Sequence, residues 1–261
     1  MPEEITSRTS ERVKDISKLC ADSKTRKARG LCVAHGFKLC LEAARHGAQI
    51  EEFWATPDAR ARFESECRAL DSLATRSVVM TDSVCAKLTE DKSPQGAFAV
   101  LRMPETLPHA DAERMQRVLA LCGVQDPANV GAALRTAAAL GYAVAVDRKC
   151  ADLFAPKTLR ASMGAAFALK IVQTDNMPEL LRELAGFGFA TFAAALRDGG
   201  EMLGKFTVPP KLALTIGSEG AGLPADVIAA CSRCVEIPMT GAVESLNAGA
   251  AAAILMWELR I

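Results

Sequence analysis

Leu212-Ala-Leu-Thr-Ile-Gly-Ser-Glu-Gly-Ala-Gly-Leu-Pro224 is the stretch on which the fold turns. An apolar run of strand length, Leu212–Ile216, passes directly into a loop with glycines at 217, 220 and 222. Near-continuous apolar strands belong to parallel sheets covered on both faces, and in such sheets ligands bind beyond the carboxyl ends of the strands. Glycines there let backbone approach a ligand closely. Their order, G-x-x-G-x-G, is not the G-x-G-x-x-G of dinucleotide-binding folds, and a carboxylate at Glu219 would repel a pyrophosphate. A glycine turn with no ligand is the other reading.

Outward from this stretch the same alternation continues. Strand-like runs at Val118–Val124, Ala143–Val146, Ala168–Val172, Phe189–Ala194 and Val235–Ile237 are separated by helical patterns. Those patterns lie at Val130–Leu140, Lys157–Phe167, Pro178–Ala185, Ala225–Cys231 and Leu246–Leu259. Strand–helix alternation predicts an α/β domain with a parallel sheet and helices on both faces. Two more polar loops follow strands. In the segment Gly123–Ala137, Asn129 can cap the next helix and Gly141 can end it in a left-handed conformation. Arg135 lies among Ala132, Ala133, Ala137, Ala138 and Ala139, so it either snorkels to water or is aimed at an anion. In Val235–Asn247, Ser245 or Asn247 can be an ordinary N-cap, yet Glu244-Ser-Leu-Asn247 also gathers hydrogen-bonding groups at a helix N-terminus, a place suited to anions. Met239 and Leu246 either line an apolar slot or pack in the core.

Residues 104–113, PETLPHADAE, hold two prolines between more regular regions and divide the chain into domains at 1–110 and 113–261. The first region shows strand-like runs at Leu31–Ala34, Glu52–Ala55, Ser77–Met80 and Ala97–Leu101 with helical patterns between them, a small α/β domain. Lys24-Thr-Arg-Lys-Ala-Arg29 is its one concentration of cations, either a solvated face or a basic patch. Across all 261 residues, 31 Lys and Arg balance 31 Asp and Glu, so the basic surplus usual in nucleic-acid binders is absent. Half the chain is hydrophobic, which supplies a core and excludes disorder. Nine scattered cysteines fit the reduced thiols of a cytoplasmic protein better than a disulfide framework. Cys231-Ser-Arg-Cys234 lacks a second paired cluster and reads as two buried thiols, so no metal is expected. No apolar run approaches the ~20 residues of a membrane span. The charged start carries no secretory signal pattern.

Together and in this order, N-x-G-A-x-x-R-T-A at Asn129–Ala137, I-G-S-E-G-x-G-L at Ile216–Leu223 and I-P-M-x-G-x-x-E-S-L-N at Ile237–Asn247 resemble the SpoU/TrmH family of the SPOUT superfamily. These are ribose 2′-O-methyltransferases of RNA, and the likeness runs from about residue 113 to the end. It implies a SPOUT-type parallel sheet whose C-terminal segment forms a trefoil knot, a homodimer, and S-adenosyl-L-methionine as cofactor. By motif, Gly217, Ile237, Met239 and Leu246 would hold the cofactor, while Asn129, Arg135, Glu219, Ser245 and Asn247 would form the catalytic group. The first region is similar to the small substrate domain of many members, itself like certain RNA-binding ribosomal proteins. Lys24, Arg26, Lys27 and Arg29, the strand-turn-helix Leu31–Ala44 and Ser93-Pro-Gln-Gly96 carry that likeness. Relatives commonly have Glu-Gly where this chain has His35-Gly36. Ribosomal RNA is the expected substrate; a transfer-RNA target and a catalytically silent RNA-binding relative are the alternatives. The balanced charge then implies modest nonspecific affinity and recognition through RNA shape.

Overall fold

In the computed structural model, residues 3–89, 94–195 and 200–260 are described. Ser93 of the Ser-Pro-Gln-Gly turn lies outside them. The chain divides into two compact units, Met1–Pro104 with Asp152–Ala168, and Glu105–Ala151 with Leu169–Ile261.

The first unit runs β1 (Glu3–Ile5), α1 (Glu11–Ala21), α2 (Ser23–Arg29), β2 (Leu31–His35), α3 (Phe37–Arg45), β3 (Ile50–Ala55), α4 (Pro57–Arg62), α5 (Glu64–Leu73), β4 (Ala74–Met80), α6 (Asp82–Leu88) and β5 (Ala97–Arg102). Its sheet has the order β1-β4-β3-β5-β2, with β1, β4 and β3 parallel and β5 antiparallel to both neighbours. Polar side chains close the helix starts: Ser10, Asp22, Thr56 and Thr81 each accept a backbone N–H of the first turn. Trp54 and Phe98, opposite one another on β3 and β5, stack at 5.3 Å between ring centroids and are fully buried.

The second unit holds β6 (Arg117–Leu121), α7 (Pro127–Leu140) and β7 (Ala143–Asp147). After β7 the chain makes an excursion, Asp152–Ala168, that packs within the first unit and carries α8 (Pro156–Ser162). There follow β8 (Ile171–Thr174), α9 (Met177–Gly186), β9 (Ala190–Ala194), β10 (Glu201–Met202), β11 (Leu212–Ile216), α10 (Ala225–Ala230), β12 (Arg233–Glu236) and α11 (Ala248–Glu258). The seven strands are all parallel, in the order β10-β12-β9-β11-β6-β7-β8. Side chains alternate across a strand. Val118, Ala120, Ala143, Ala145, Ala193 and Ala213 face one cluster with Leu180, Leu181 and Leu184 of α9 and Val227 of α10. The opposite face is covered by α7 and α11, which pack on each other.

Three expected boundaries move for physical reasons. The helix expected over Lys157–Phe167 stops at Ser162, because Met163 (φ 52°) and Gly164 (φ 79°) are left-handed and no α-helix continues through them. The cap of α7 is Asp126, whose side chain accepts from the Ala128 N–H, so Asn129 lies inside the first turn. The last helix begins at Ala248, with Asn247 as the cap accepting from Ala250 at 2.7 Å. Gly141 ends α7 with φ 73°, as read from the sequence. Helix α11 is anchored at its far end: the Tyr142 hydroxyl reaches the carbonyls of Met256 (3.3 Å) and Leu259 (3.1 Å), and Arg117 Nε donates to Leu259 as well.

Candidate active site

Beyond the carboxyl ends of β9, β11 and β12 lies a pocket of about 360 Å³. Two loops build it, residues 217–223 after β11 and residues 236–246 after β12, with Ala248, Ala251 and Leu255 of α11 behind them. Glycine at 217 is a steric requirement. A Cβ there would lie 2.4 Å from the carbonyl carbon of Gly222 and 2.6 Å from the Leu223 nitrogen, so the loop can fold back on itself only without a side chain. The fold-back is fastened by the Gly222 N–H donating to the Ser218 carbonyl at 2.9 Å.

The lining decides what ligand fits. Ile216, Leu223, Ile228, Val235, Ile237 and Leu246 give an apolar slot, while Glu219, Glu236 and Glu244 supply carboxylates. No cation lines it among the described residues. Such a lining favours an apolar group bearing positive charge over a polyanion.

The expected site residues divide by position. Gly217, Glu219, Ile237, Met239, Ser245 and Leu246 all line this pocket. Asn129 does not, but its Nδ2 donates to Glu219 Oε1, which ties the start of α7 to the glycine loop. Its Oδ1 lies 3.1 Å from where a Gly249 Cβ would be, so that glycine lets α11 approach Asn129 closely. Asn247 is occupied as the cap of α11. Arg135 is exposed on α7 and makes no hydrogen bond or ion pair to a described residue of its own chain. Six residues beyond Asn129 at 100° each, it points from a different side of the helix. It is not brought into the pocket formed by one chain.

Ala194, Ala195, Ser218 and Glu236 line the pocket without having been singled out, and Glu244 was noted only as part of its motif. The two alanines carry no chemical signal, although the carboxyl-end rule applied to β9 would have found them.

Of the four cations of α2, Lys24, Lys27 and Arg29 are exposed, and Arg29 pairs loosely with Asp15 at 3.6 Å. Arg26 corrects the expectation. It is only 3% exposed, and its guanidinium donates to Asp152 Oδ2 at 2.8 and 2.7 Å and to the carbonyls of Leu19 and Cys20 at 2.6 and 3.0 Å. With every direction occupied it is a structural arginine of the first unit, not an RNA contact. Cys231 is half-buried with its thiol pushed up to about 11 by burial, and Cys234 is buried. Among the described residues no three His, Cys, Asp or Glu side chains gather as metal ligands.

A parallel α/β sheet with a looped, acidic and apolar pocket at its carboxyl edge thus defines an α/β protein with a ligand site at the place such sheets provide one. Residues 116–257 match the SpoU rRNA methylase family and residues 10–99 the MRM3-like substrate binding domain. The chain belongs to the SpoU rRNA methylase family. It is 30% identical over 258 residues to the 23S rRNA (guanosine(2553)-2'-O)-methyltransferase RlmP of Bacillus subtilis, covering 98% of this chain and 99% of the relative. It is 32% identical over 241 residues to the 23S rRNA (guanosine-2'-O-)-methyltransferase RlmB of a Burkholderia species, covering 87% and 95%. Among solved structures, the AdoMet-bound rRNA methyltransferase from Sinorhizobium meliloti superposes with a TM-score of 0.83 at 27% identity, covering 98% and 97%.

Proposed function

We propose that this protein transfers a methyl group to a ribose 2′-hydroxyl of ribosomal RNA, using S-adenosyl-L-methionine. The observation that carries the reading is the Asn129–Glu219 hydrogen bond at the edge of a pocket lined by apolar side chains and three carboxylates. Bound there, S-adenosyl-L-methionine would supply an electrophilic methyl on a positively charged sulfur. Ile237, Leu246 and Leu223 would flank its flat base, the backbone around Gly217 would hydrogen-bond it, and Glu219, Glu236 and Glu244 suit its positive charge. Both relatives named above as RlmP and RlmB are, by name, guanosine 2'-O-methyltransferases of 23S rRNA.

The residues of the chain then divide the work. Asn129, oriented by Glu219, holds the ribose. A guanidinium offers five N–H donors and no acceptor, so the role of Arg135 is to hold the adjacent phosphate and stabilise developing alkoxide. Ser245 lies on the loop that closes the pocket. Alignment of hydroxyl and methyl is worth about 7–11 kcal/mol in such reactions.

The reading includes a homodimer. Ile254 and Trp257 of α11 are 38% and 54% exposed, and beside them α7 exposes Ala132 and Ala139 together with Arg135. An apolar helical face of this kind is suited to a second copy, and Arg135 on that face would serve a pocket that the pair completes. The trefoil knot and a cytoplasmic location belong to the same reading. No helix among the described residues is long and apolar enough to cross a membrane. The test is incubation of the protein with labelled S-adenosyl-L-methionine and fractionated RNA. Label in large ribosomal RNA is expected, and absence of label from every RNA fraction would overturn the reading.

A further inference from the structure

Asp147, the last residue of β7, is only 9% exposed and belongs to none of the three motifs. In a parallel sheet the carboxyl ends of neighbouring strands share one edge, and here β7 lies beside β6 and β6 beside β11. One oxygen of the side chain, Oδ1, accepts three backbone N–H groups: Gly123 at 3.1 Å, Lys149 at 3.0 Å and Cys150 at 3.0 Å. Two of these donors belong to the turn that Asp147 itself begins, which is the ordinary use of an aspartate at a turn. The third is 24 positions away on the loop after β6, so the carboxylate also cross-links two strand ends. Carboxylate acceptors hold backbone N–H groups more strongly than neutral ones do.

The residue held in this way decides where the chain goes next. Gly123 turns with φ +67°, and further bonds fasten the same turn to its neighbours. The Cys122 N–H donates to the carbonyl of Ile216, the last residue before the glycine loop, at 2.9 Å. The Ala151 N–H donates to the Val124 carbonyl at 2.9 Å, and the Cys150 thiol to the Leu121 carbonyl at 3.3 Å. Burial, and after it the Asp147 charge, push the Cys122 and Cys150 thiols up to about 12, so both stay neutral beside the carboxylate. Three residues beyond Gly123 comes Asp126, the cap of α7, and three further on Asn129, whose Nδ2 is bonded to Glu219. A displacement at Gly123 therefore reaches Asn129 through a short stretch of chain that is fixed at both ends.

We infer that Asp147 is a positioning residue for methyl transfer: it fixes the Gly123 turn, and through that turn the start of α7 that presents Asn129 to the ribose. The inference rests on the RNA methyltransferase reading and deepens it. Where catalysis works by alignment, a displacement of about 1 Å can cost roughly a hundredfold in rate. A cross-link that lines no part of the pocket can then govern turnover.

The test is a double-mutant cycle on the full-length protein. Turnover, KM for ribosomal RNA, S-adenosyl-L-methionine affinity and thermal midpoint are measured for wild type, D147A, N129A, N129A/D147A and K211M. Lys211 supplies the control for lost stability in the same sheet: it precedes β11 at the amino end, where its Nζ donates to the carbonyls of Glu113 and Phe187 at 2.7 Å each. D147A should lower kcat roughly thirtyfold while KM and cofactor affinity stay within a few-fold. Because Asp147 acts through Asn129, the same substitution should change kcat by less than about threefold once Asn129 is alanine. K211M should lower the midpoint and leave kcat unchanged. If D147A does not fold, D147N takes its place in the cycle. It keeps an acceptor oxygen but loses the charge, so kcat should fall roughly fivefold in the wild-type background and not at all in N129A. Losses that multiply in the double variant, or a kcat unmoved by the Asp147 substitution, would overturn the positioning role and leave the activity standing. Wild type that transfers no methyl group to RNA would overturn the activity, and the positioning role with it.

Discussion

Two pockets of the molecule are built by opposite means. The pocket of the second unit is acidic and apolar, lined by Glu219, Glu236 and Glu244, and shaped by backbone folded on backbone at Gly217. A pocket of the first unit is lined by Lys38, Leu39, Ala97, Arg160 and Met163, and is shaped by a left-handed pair in the excursion. One is closed by main chain packed on main chain, the other by side chains around a strained turn.

Breaking one side of this contrast should leave the other intact. The largest effect is expected from Gly217→Ala. The added carbon would press on the backbone of Gly222 and Leu223, so the loop must open, and S-adenosyl-L-methionine affinity by calorimetry should fall more than roughly a hundredfold with RNA affinity unchanged. Normal cofactor affinity would show that the fold-back does not shape the site. Next, Asn129→Ala removes the side chain tied to Glu219 but leaves every residue that lines the pocket in place. Turnover should drop roughly a hundredfold while cofactor affinity stays within a few-fold, and equal losses in both would deny Asn129 a positioning role.

On the first unit, Arg26→Ala leaves Asp152 and two carbonyls without their donor. Urea unfolding should show a loss of roughly 3 kcal/mol. Lys24→Ala and Lys27→Ala, on the exposed side of the same helix, should stay within about 0.5 kcal/mol. Equal behaviour of all three would contradict the burial of Arg26. A smaller cost, about 1–2 kcal/mol, is expected for Tyr142→Phe, which removes the hydroxyl bonded to the last carbonyls of α11. Finally, burial raises the Cys40, Cys122 and Cys150 thiols to about 12 and Cys231 to about 11. The native state keeps these groups neutral while the unfolded chain ionises them above about 8.5, so stability should be flat with respect to them below that pH and fall as pH rises towards 11.

Much of this was legible because burial writes itself into composition. Strands such as Ala143–Asp147 and Leu212–Ile216 are buried at every position, so their apolar runs stood out. Short edge strands did not: β1 and β10 have three and two residues, too few for a pattern. The glycine loop showed itself by residue type, but Arg26 did not, because its burial depends on Asp152, 126 positions away. A local charge run cannot reveal a partner at that distance. Nor could helical periodicity see the break at Met163, since methionine carries no turn signal and the left-handed pair answers to the packing of Gly164 on α3. Asp126 rather than Asn129 caps α7 for a simpler reason: Pro127 fits the first helical position, which puts the cap one residue before it.

The central claim is the chemistry at the second pocket, and the position of the transferred methyl tests it most directly. Ribosomal RNA labelled by the protein from S-adenosyl-L-methionine should be digested with alkali, which cleaves only where a free 2′-hydroxyl can attack the neighbouring phosphate. The account predicts label in an alkali-resistant dinucleotide, lost in Gly217→Ala and Asn129→Ala. Label on a base in mononucleotides, or no label in any RNA, would contradict it.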